Sequence, residues 1–201
     1  MSGPRFEQPP SSVAEAPRRR SDRLFFAIKP DAPAAARIER LARDLRSELG
    51  LRGSPFERER LHVTLYFIGD FPGIPDGAVE RLSQIAGSAA DTAPFRIRFD
   101  RVGSFPRKDR RRPLVLQGDD GVLAVTALHE RLHGALAEAG LVPPAPGRYT
   151  PHVTLLYDER SVADLTIDPI VWTVREFMLM HSLIGRSRHE TLARWPLRGS
   201  P

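Results

Sequence analysis

The sequence has no cysteine among its 201 residues. Disulfides, thiolate metal sites and cysteine nucleophiles are therefore excluded, and the fold must rest on ordinary side-chain packing. The chain also lacks any run of about 18 apolar residues, so no transmembrane helix and no membrane partner are expected. Residues 1–22 contain no apolar stretch of the kind that forms a signal peptide. These absences suit the cytoplasm, which is the expected location.

Lysine is scarce as well, since Lys29 and Lys108 stand against 28 arginines. The formal net charge is +5 and the isoelectric point is about 10.3. A basic balance fits a partner that carries phosphate groups. An arginine-biased genome explains the same balance equally well, so charge does not decide the function.

Hydrophobic residues make up 41% of the chain, enough to build a packed core. Their spacing predicts strands over 24–28, 61–68, 95–102, 113–117 and 152–157, and a closing pair over 171–181 and 190–197. It predicts helices after Asp31, over about 77–90 with Asp76 as cap, and over 122–139. This alternation indicates an α/β or α+β domain over 23–197, between a flexible tail at 1–22 and a short tail at 198–201.

One tetrapeptide occurs twice. His-Val-Thr-Leu stands at residues 62–65 and again at 152–155, each time in a predicted strand. Internal repeats of this kind report on architecture. The repeated tetrapeptide predicts two similar halves related by a pseudo-twofold axis.

Strand geometry gives the repeat a chemical meaning, because successive side chains point to opposite faces of a sheet. His62 therefore shares a face with Thr64, and His152 shares one with Thr154. If the two strands are neighbours, two imidazoles and two hydroxyls converge on one cleft.

This group of side chains suits phosphoryl chemistry. Histidine has an ordinary pKa of about 6.5, so one ring can be neutral while its partner is charged. The neutral ring removes a proton from water and the charged ring protonates the departing oxygen, each worth about 10² to 10⁴ in rate. Threonine hydroxyls can donate hydrogen bonds to the phosphate oxygens, and no metal or cofactor is required. A single histidine beside a threonine is usually structural, but two identical copies favour catalysis.

With these motifs the chain resembles the two-histidine (2H) phosphoesterases, specifically the RNA 2′,3′-cyclic phosphodiesterases, also called 2′-5′ RNA ligases. Flanking segments are similar too: residues 23–28, 105–106, 112–116 and 194–197. The likeness covers about residues 23–197.

The resemblance implies an α+β fold of two pseudo-symmetric lobes of mainly antiparallel sheet, with helices outside and the active cleft between them. It implies that His62 is the proton donor, His152 the proton acceptor, and Thr64 and Thr154 the phosphate-binding hydroxyls. The expected substrate is an RNA or nucleotide ending in a 2′,3′-cyclic phosphate, opened by water to a 2′-phosphate. Ligation is the same reaction in reverse. No cofactor is implied, and a monomer is expected.

The resemblance breaks at one position. Relatives often carry an arginine three residues after the second motif threonine, where this chain has Tyr157. The phosphate interaction of that arginine is either missing here or supplied by other cations: Arg112, Arg148, Arg160 or the rest of the basic loop 107–112. Tyr149 holds a place where relatives often have an aromatic residue, so it either stacks on a base or packs in the core.

Other interpretations remain open. His129 and His133 form an H-E-x-x-H pattern on a predicted helix, which is the zinc protease signature. We expect both to flank the buried stripe near the surface, and we expect His181 and His189 to be structural or surface residues. The chain could also be a non-catalytic module that binds RNA ends. A third possibility is a phosphodiesterase for a small cyclic nucleotide or a cyclic ADP-ribose phosphate.

Overall fold

The computed structural model describes residues 21–106, 111–142, 148–183, 185 and 188–199. The strands are β1 (Asp22–Ile28), β2 (Val63–Phe71), β3 (Phe95–Ser104), β4 (Arg112–Gln117), β5 (His152–Asp158), β6 (Leu165–Val174), β7 (Glu176–Leu183) and β8 (Arg188–Pro196). The α-helices are α1 (Ala32–Glu48), α2 (Ala78–Ala86) and α3 (Leu123–Glu138). Most of the predicted N-terminal tail (residues 1–20) and most of the basic loop (residues 107–110) lie outside the described residues.

The strands form one sheet in the order β6-β3-β4-β5-β2-β1-β7-β8, with every neighbouring pair antiparallel. The central pair, β2 and β5, is joined at Val63 and Val153 alone. This narrow junction divides the sheet into a first lobe (β2, β1, β7, β8) and a second lobe (β5, β4, β3, β6). The predicted α+β class and its two antiparallel lobes are confirmed.

The helices bind the lobes together. Helix α1 follows a first-lobe strand but packs against β5 and β6 of the second lobe, while α3 packs against β2 of the first. Asp31 caps α1 as predicted, because its carboxylate accepts the Ala34 N–H at 2.9 Å. The predicted Asp76 cap of α2 is wrong, since that helix begins after Gly77 at φ 70° with no side-chain cap.

The predicted strand over 171–181 is divided between two strands of the structure, β6 and β7. The apolar run over 171–181 indicated a single closing strand, but the chain breaks at the exposed Arg175. The half before it, in β6, pairs with β3 at one edge of the sheet, and β7 pairs with β1 in the other lobe. Both halves are apolar because both pack on the core, so the hydrophobic pattern does not mark the division.

Strand β1 is buried on both faces. Leu24, Phe26 and Ile28 belong to the main core under the helices. Phe25 and Ala27 point the other way and pack with Met178 and Met180 of β7. This second, small apolar cluster forms part of the cleft floor, where Phe25 lines the cavity.

Among the described residues, no helix has both the length and the apolar content needed to cross a bilayer.

Candidate active site

The strand register brings the two motifs together. Val63 pairs with Val153 at the junction of the lobes, and both side chains are fully buried. Continuing this antiparallel register sets His62 opposite Thr154 and Thr64 opposite His152. All four of these side chains line one cavity of about 510 Å³. The predicted convergence of imidazoles and hydroxyls is therefore present in the described structure.

Backbone hydrogen bonds orient both rings in the same way. Nδ1 of His62 donates to the Arg60 carbonyl at 2.7 Å, and Nδ1 of His152 donates to the Thr150 carbonyl at 2.8 Å. A carbonyl oxygen only accepts, so the proton of each neutral ring resides on Nδ1. The Nε2 atom of each ring is left to exchange protons in the cleft.

Each ring also packs against a phenylalanine. The His62 ring lies 5.0 Å from the Phe25 ring, centroid to centroid, and the His152 ring lies 4.8 Å from Phe105. The two phenylalanines come from different lobes, Phe25 from β1 and Phe105 from the end of β3. Each motif histidine is therefore packed against a phenylalanine of its own lobe.

The surroundings of both histidines disfavour a positive charge on their rings. Burial lowers the pKa of His62 to about 4, with further lowering from the nearby His189, Lys29 and His152 and an opposing effect of the Arg60 carbonyl. Burial likewise lowers the pKa of His152. An anion bound between the rings would favour their charged forms and raise both pKa values.

A third histidine, His189 of β8, also lines the cleft. Its ring centroid is 5.3 Å from that of His62 and 5.6 Å from that of Phe25. Burial lowers its pKa to about 4, assisted by the positive charges of Arg60, Lys29 and Arg23. The sequence predicts a structural or surface residue at this position. No local motif surrounds His189, and its place depends on the pairing of β8 with β7.

Two arginines that no sequence motif marks, Arg23 and Arg60, also line the cleft. Arg23 is committed to a two-bond ion pair with Asp70, at 2.7 and 2.9 Å. The Arg60 guanidinium stacks on the Phe56 ring, 3.9 Å from its centroid. Arg60 also lies near Tyr157, which occupies the position where an arginine was expected. The cleft therefore has a cation on that side without an arginine at 157.

Comparison with known proteins places the chain in a family. The model of the 2′-5′ RNA ligase superfamily matches residues 30–184. This protein belongs to that superfamily. A protein of Aquifex aeolicus named RNA 2′,3′-cyclic phosphodiesterase is 28% identical over 145 residues, covering 70% of this chain and 73% of its own. The protein of that name from Escherichia coli is 29% identical over 179 residues, covering 87% and 96%.

Solved structures share the fold of this protein. The crystal structure of E. coli LigT in apo form superposes with a TM-score of 0.69 at 27% identity, covering 88% of this chain and 98% of that one. LigT complexed with 3′-AMP superposes with a TM-score of 0.66 at 29% identity, over the same shares of the two chains. The two-lobed sheet of this superfamily member is thus shared with a protein that holds a nucleotide.

Among the described residues, the arginines that the sequence proposed as phosphate ligands do not line the main cleft of this 2′-5′ RNA ligase superfamily member. Arg112 donates to the Glu159 carbonyl at 2.7 Å and is not among the described residues that line the cleft. Arg160 donates to the Leu49 carbonyl at 2.8 Å. Arg148 lines a second cavity of about 470 Å³, which meets the cleft at His152.

Tyr149 packs between the lobes. Its hydroxyl donates to the Thr64 carbonyl at 2.9 Å, and its ring stacks on His129 at 3.9 Å between centroids with an interplanar angle of 11°. One ring face and the hydroxyl are thus already engaged. The second lobe supports the first motif strand through this tyrosine.

Removing that hydroxyl should weaken the support. In Tyr149→Phe we expect the free energy of unfolding to fall by about 1 kcal/mol, because the Thr64 carbonyl loses its donor. Urea denaturation measures the change, with phosphodiesterase activity falling less than threefold. An unchanged unfolding midpoint would show that the bond contributes nothing.

The expected surface position of the H-E-x-x-H histidines is wrong. His129 is 7% exposed and His133 is 4% exposed, because α3 turns this face toward β2. Nδ1 of His129 donates to the Leu65 carbonyl at 2.7 Å. Across the described part of the chain, no cluster of three or more His, Cys, Asp or Glu side chains could hold a metal. The pair stacks with Tyr66 and serves packing here.

Proposed function

We propose that this protein hydrolyses a 2′,3′-cyclic phosphate at an RNA or nucleotide end to a 2′-phosphate, using His62 and His152 as proton donor and proton acceptor. The observation that carries the proposal is that both rings line one cleft with Nδ1 committed to the backbone and Nε2 left for proton exchange. The names of the relatives and the 3′-AMP complex of LigT support the same chemistry.

In the proposed reaction, Nε2 of neutral His152 accepts a proton from water as the water oxygen bonds to phosphorus. The bond from phosphorus to the ribose 3′ oxygen breaks, and Nε2 of charged His62 protonates that oxygen. The products are a 3′-hydroxyl and a 2′-phosphate. When a 5′-hydroxyl takes the place of water, the same step forms a 2′-5′ bond, and each ring keeps its role: His152 accepts the proton of the nucleophile and His62 protonates the 3′ oxygen.

The negative charge of the substrate helps to protonate the proton donor. His62 acts as a proton donor only when it is protonated, and burial of its ring opposes that state. The phosphodiester carries the negative charge that stabilises a protonated ring beside it. Thr64 and Thr154 donate to the non-bridging oxygens, where negative charge increases as water attacks.

Replacing either hydroxyl should slow the reaction less than replacing a histidine. For Thr64→Val and Thr154→Val we expect kcat/KM to fall roughly 10- to 150-fold, the value of one hydrogen bond to a charged group at about 1.5–3 kcal/mol. Steady-state kinetics on a nucleoside 2′,3′-cyclic phosphate measures this. Thr173→Val in β6, outside the cleft, is the matched control. Losses equal to that control would remove the threonines from the site.

End-group analysis of the products tests the function itself. An RNA ending in a 2′,3′-cyclic phosphate is incubated with the protein in the presence of EDTA, and a 2′-phosphate is expected. A 3′-phosphate product would mean that the 2′ oxygen, and not the 3′ oxygen, is the leaving group. Loss of activity with EDTA would contradict metal independence. Binding without turnover of RNA or of small cyclic nucleotides would favour the non-catalytic module.

We further propose that the protein works as a monomer in the cytoplasm. One chain supplies both motifs and both supporting phenylalanines, so the cleft is complete without a second copy. The absence of cysteine fits a reducing compartment.

A further inference from the structure

Another cavity, of about 460 Å³ and separate from the one that Arg148 lines, adjoins the catalytic cleft. Tyr157 lines both spaces and forms the boundary between them. Beyond Tyr157 the cavity is lined by three arginines, Arg52, Arg111 and Arg160. We call this space the arginine groove.

The groove is built around a buried carboxylate. Asp158, 6% exposed, ends strand β5 and accepts three backbone N–H bonds. Its Oδ2 accepts from Arg52 at 2.6 Å and Gly53 at 2.7 Å, and its Oδ1 accepts from Arg160 at 2.9 Å. Burial acts to raise the pKa of Asp158, but these bonds hold it below its ordinary value. The carboxylate thus holds the loop after α1 against the turn after β5.

Close packing also places that loop. A side chain at Gly53 would collide with the Tyr157 carbonyl, so the loop can approach the cleft boundary only with glycine at this position. The groove wall is therefore a defined part of the fold and not a loose surface segment.

The positive charge of the groove is available to a ligand. The side chains of Arg52 and Arg111 are exposed, and within the described ranges neither forms an ion pair or side-chain hydrogen bond. Arg160 uses one nitrogen for the Leu49 and Gly50 carbonyls and keeps its charge. Asp158 and Glu159 place two carboxylates in the groove, against the three guanidinium groups of its arginines.

We propose that the arginine groove binds backbone phosphates of the RNA strand on the 5′ side of the terminal nucleotide. This inference rests on the proposed function, because the strand must leave a cleft that holds its cyclic phosphate end. The groove begins where the cleft ends, at Tyr157, and guanidinium groups pair well with phosphate. It makes the protein prefer an RNA oligomer over a mononucleotide without reading base sequence.

The test compares two substrates with one double variant. For Arg52→Gln/Arg111→Gln, kcat/KM on an RNA oligomer with a 2′,3′-cyclic phosphate end should fall about tenfold or more. The dependence of log(kcat/KM) on log salt should become shallower by about 0.7 for each phosphate that is no longer paired with an arginine. On a nucleoside 2′,3′-cyclic phosphate the variant should stay within twofold of the wild type. Arg96→Gln/Arg175→Gln, with the same charge change at exposed sites outside both cavities, is the control.

Equilibrium binding separates this proposal from the proposed function. Affinity for a fluorescent RNA oligomer ending in a 2′-phosphate should fall in the groove variant and not in the control. If the wild type turns over neither substrate but shows this binding pattern, the proposed function is wrong and the arginine groove is still supported as an RNA-binding site. Equal losses in groove and control variants, or on both substrates, would overturn the groove.

Discussion

His62→Ala and His152→Ala should each lower kcat/KM on a 2′,3′-cyclic phosphate by about 10²- to 10⁴-fold, because each ring moves one proton in the transition state. The two rings are proposed to act in a single step, so their effects should not multiply. We expect the double variant to be within about tenfold of the slower single variant, as is typical of residues that act as a unit. Initial rates with end-group analysis of the product measure all three proteins.

Folding must be separated from catalysis in these variants. Each alanine removes a ring contact with Phe25 or Phe105 and one hydrogen bond to a backbone carbonyl. Both rings are partly exposed to the cleft, so a loss of about 1–2 kcal/mol of stability is the expected limit. Circular dichroism and thermal melting check this. A folded single variant that keeps more than a tenth of wild-type activity would rule out its histidine as a proton carrier.

The pH profile should show kcat/KM falling tenfold for each pH unit above about 6.5. The pKa values of both His62 and His152 are lowered from 6.5 in the free protein, and kcat/KM reports the free protein. The donor must be protonated, and above both pKa values that protonated fraction decreases tenfold per unit. Below both values the acceptor becomes charged and activity falls again. The profile should therefore be a bell whose maximum lies on the acid side of 6.5.

The same experiment gives a second readout in kcat. Bound substrate places a phosphodiester anion between the rings and raises their pKa values, so the alkaline fall in kcat should occur at higher pH than the fall in kcat/KM. Saturating and limiting substrate series from pH 4.5 to 9 provide both curves. A kcat/KM that is flat or rising between pH 7 and 9 would contradict a protonated histidine donor.

The groups around His62 explain why a bound anion is expected to raise the pKa of this ring strongly. His189, Lys29 and His152 all oppose a positive charge on the ring, in addition to burial. Arg60 stands on the same side of the cleft, stacked on Phe56. A neutral ligand would leave this positive region uncompensated, whereas a phosphate anion neutralises it. Selectivity for an anionic substrate is therefore a property of the whole cleft wall.

Much of the active-site arrangement can be predicted from the amino-acid sequence. The repeated His-Val-Thr-Leu, together with the alternation of side chains along a strand, was enough to predict which four side chains share a cleft. Local periodicity predicted the helices, and Asp31 marked the start of α1. These features depend on neighbours a few residues apart, where spacing along the chain translates directly into direction in space.

The remaining features required the assembled sheet. His189 and Arg23 reach the cleft because β8 pairs with β7 and β7 pairs with β1. The single apolar run over 171–181 became two strands of separate lobes, and the α3 histidines became buried. Such outcomes depend on strand pairing and helix docking between distant segments. Hydrophobic pattern reports that a residue is buried, but it does not identify the segment that covers it.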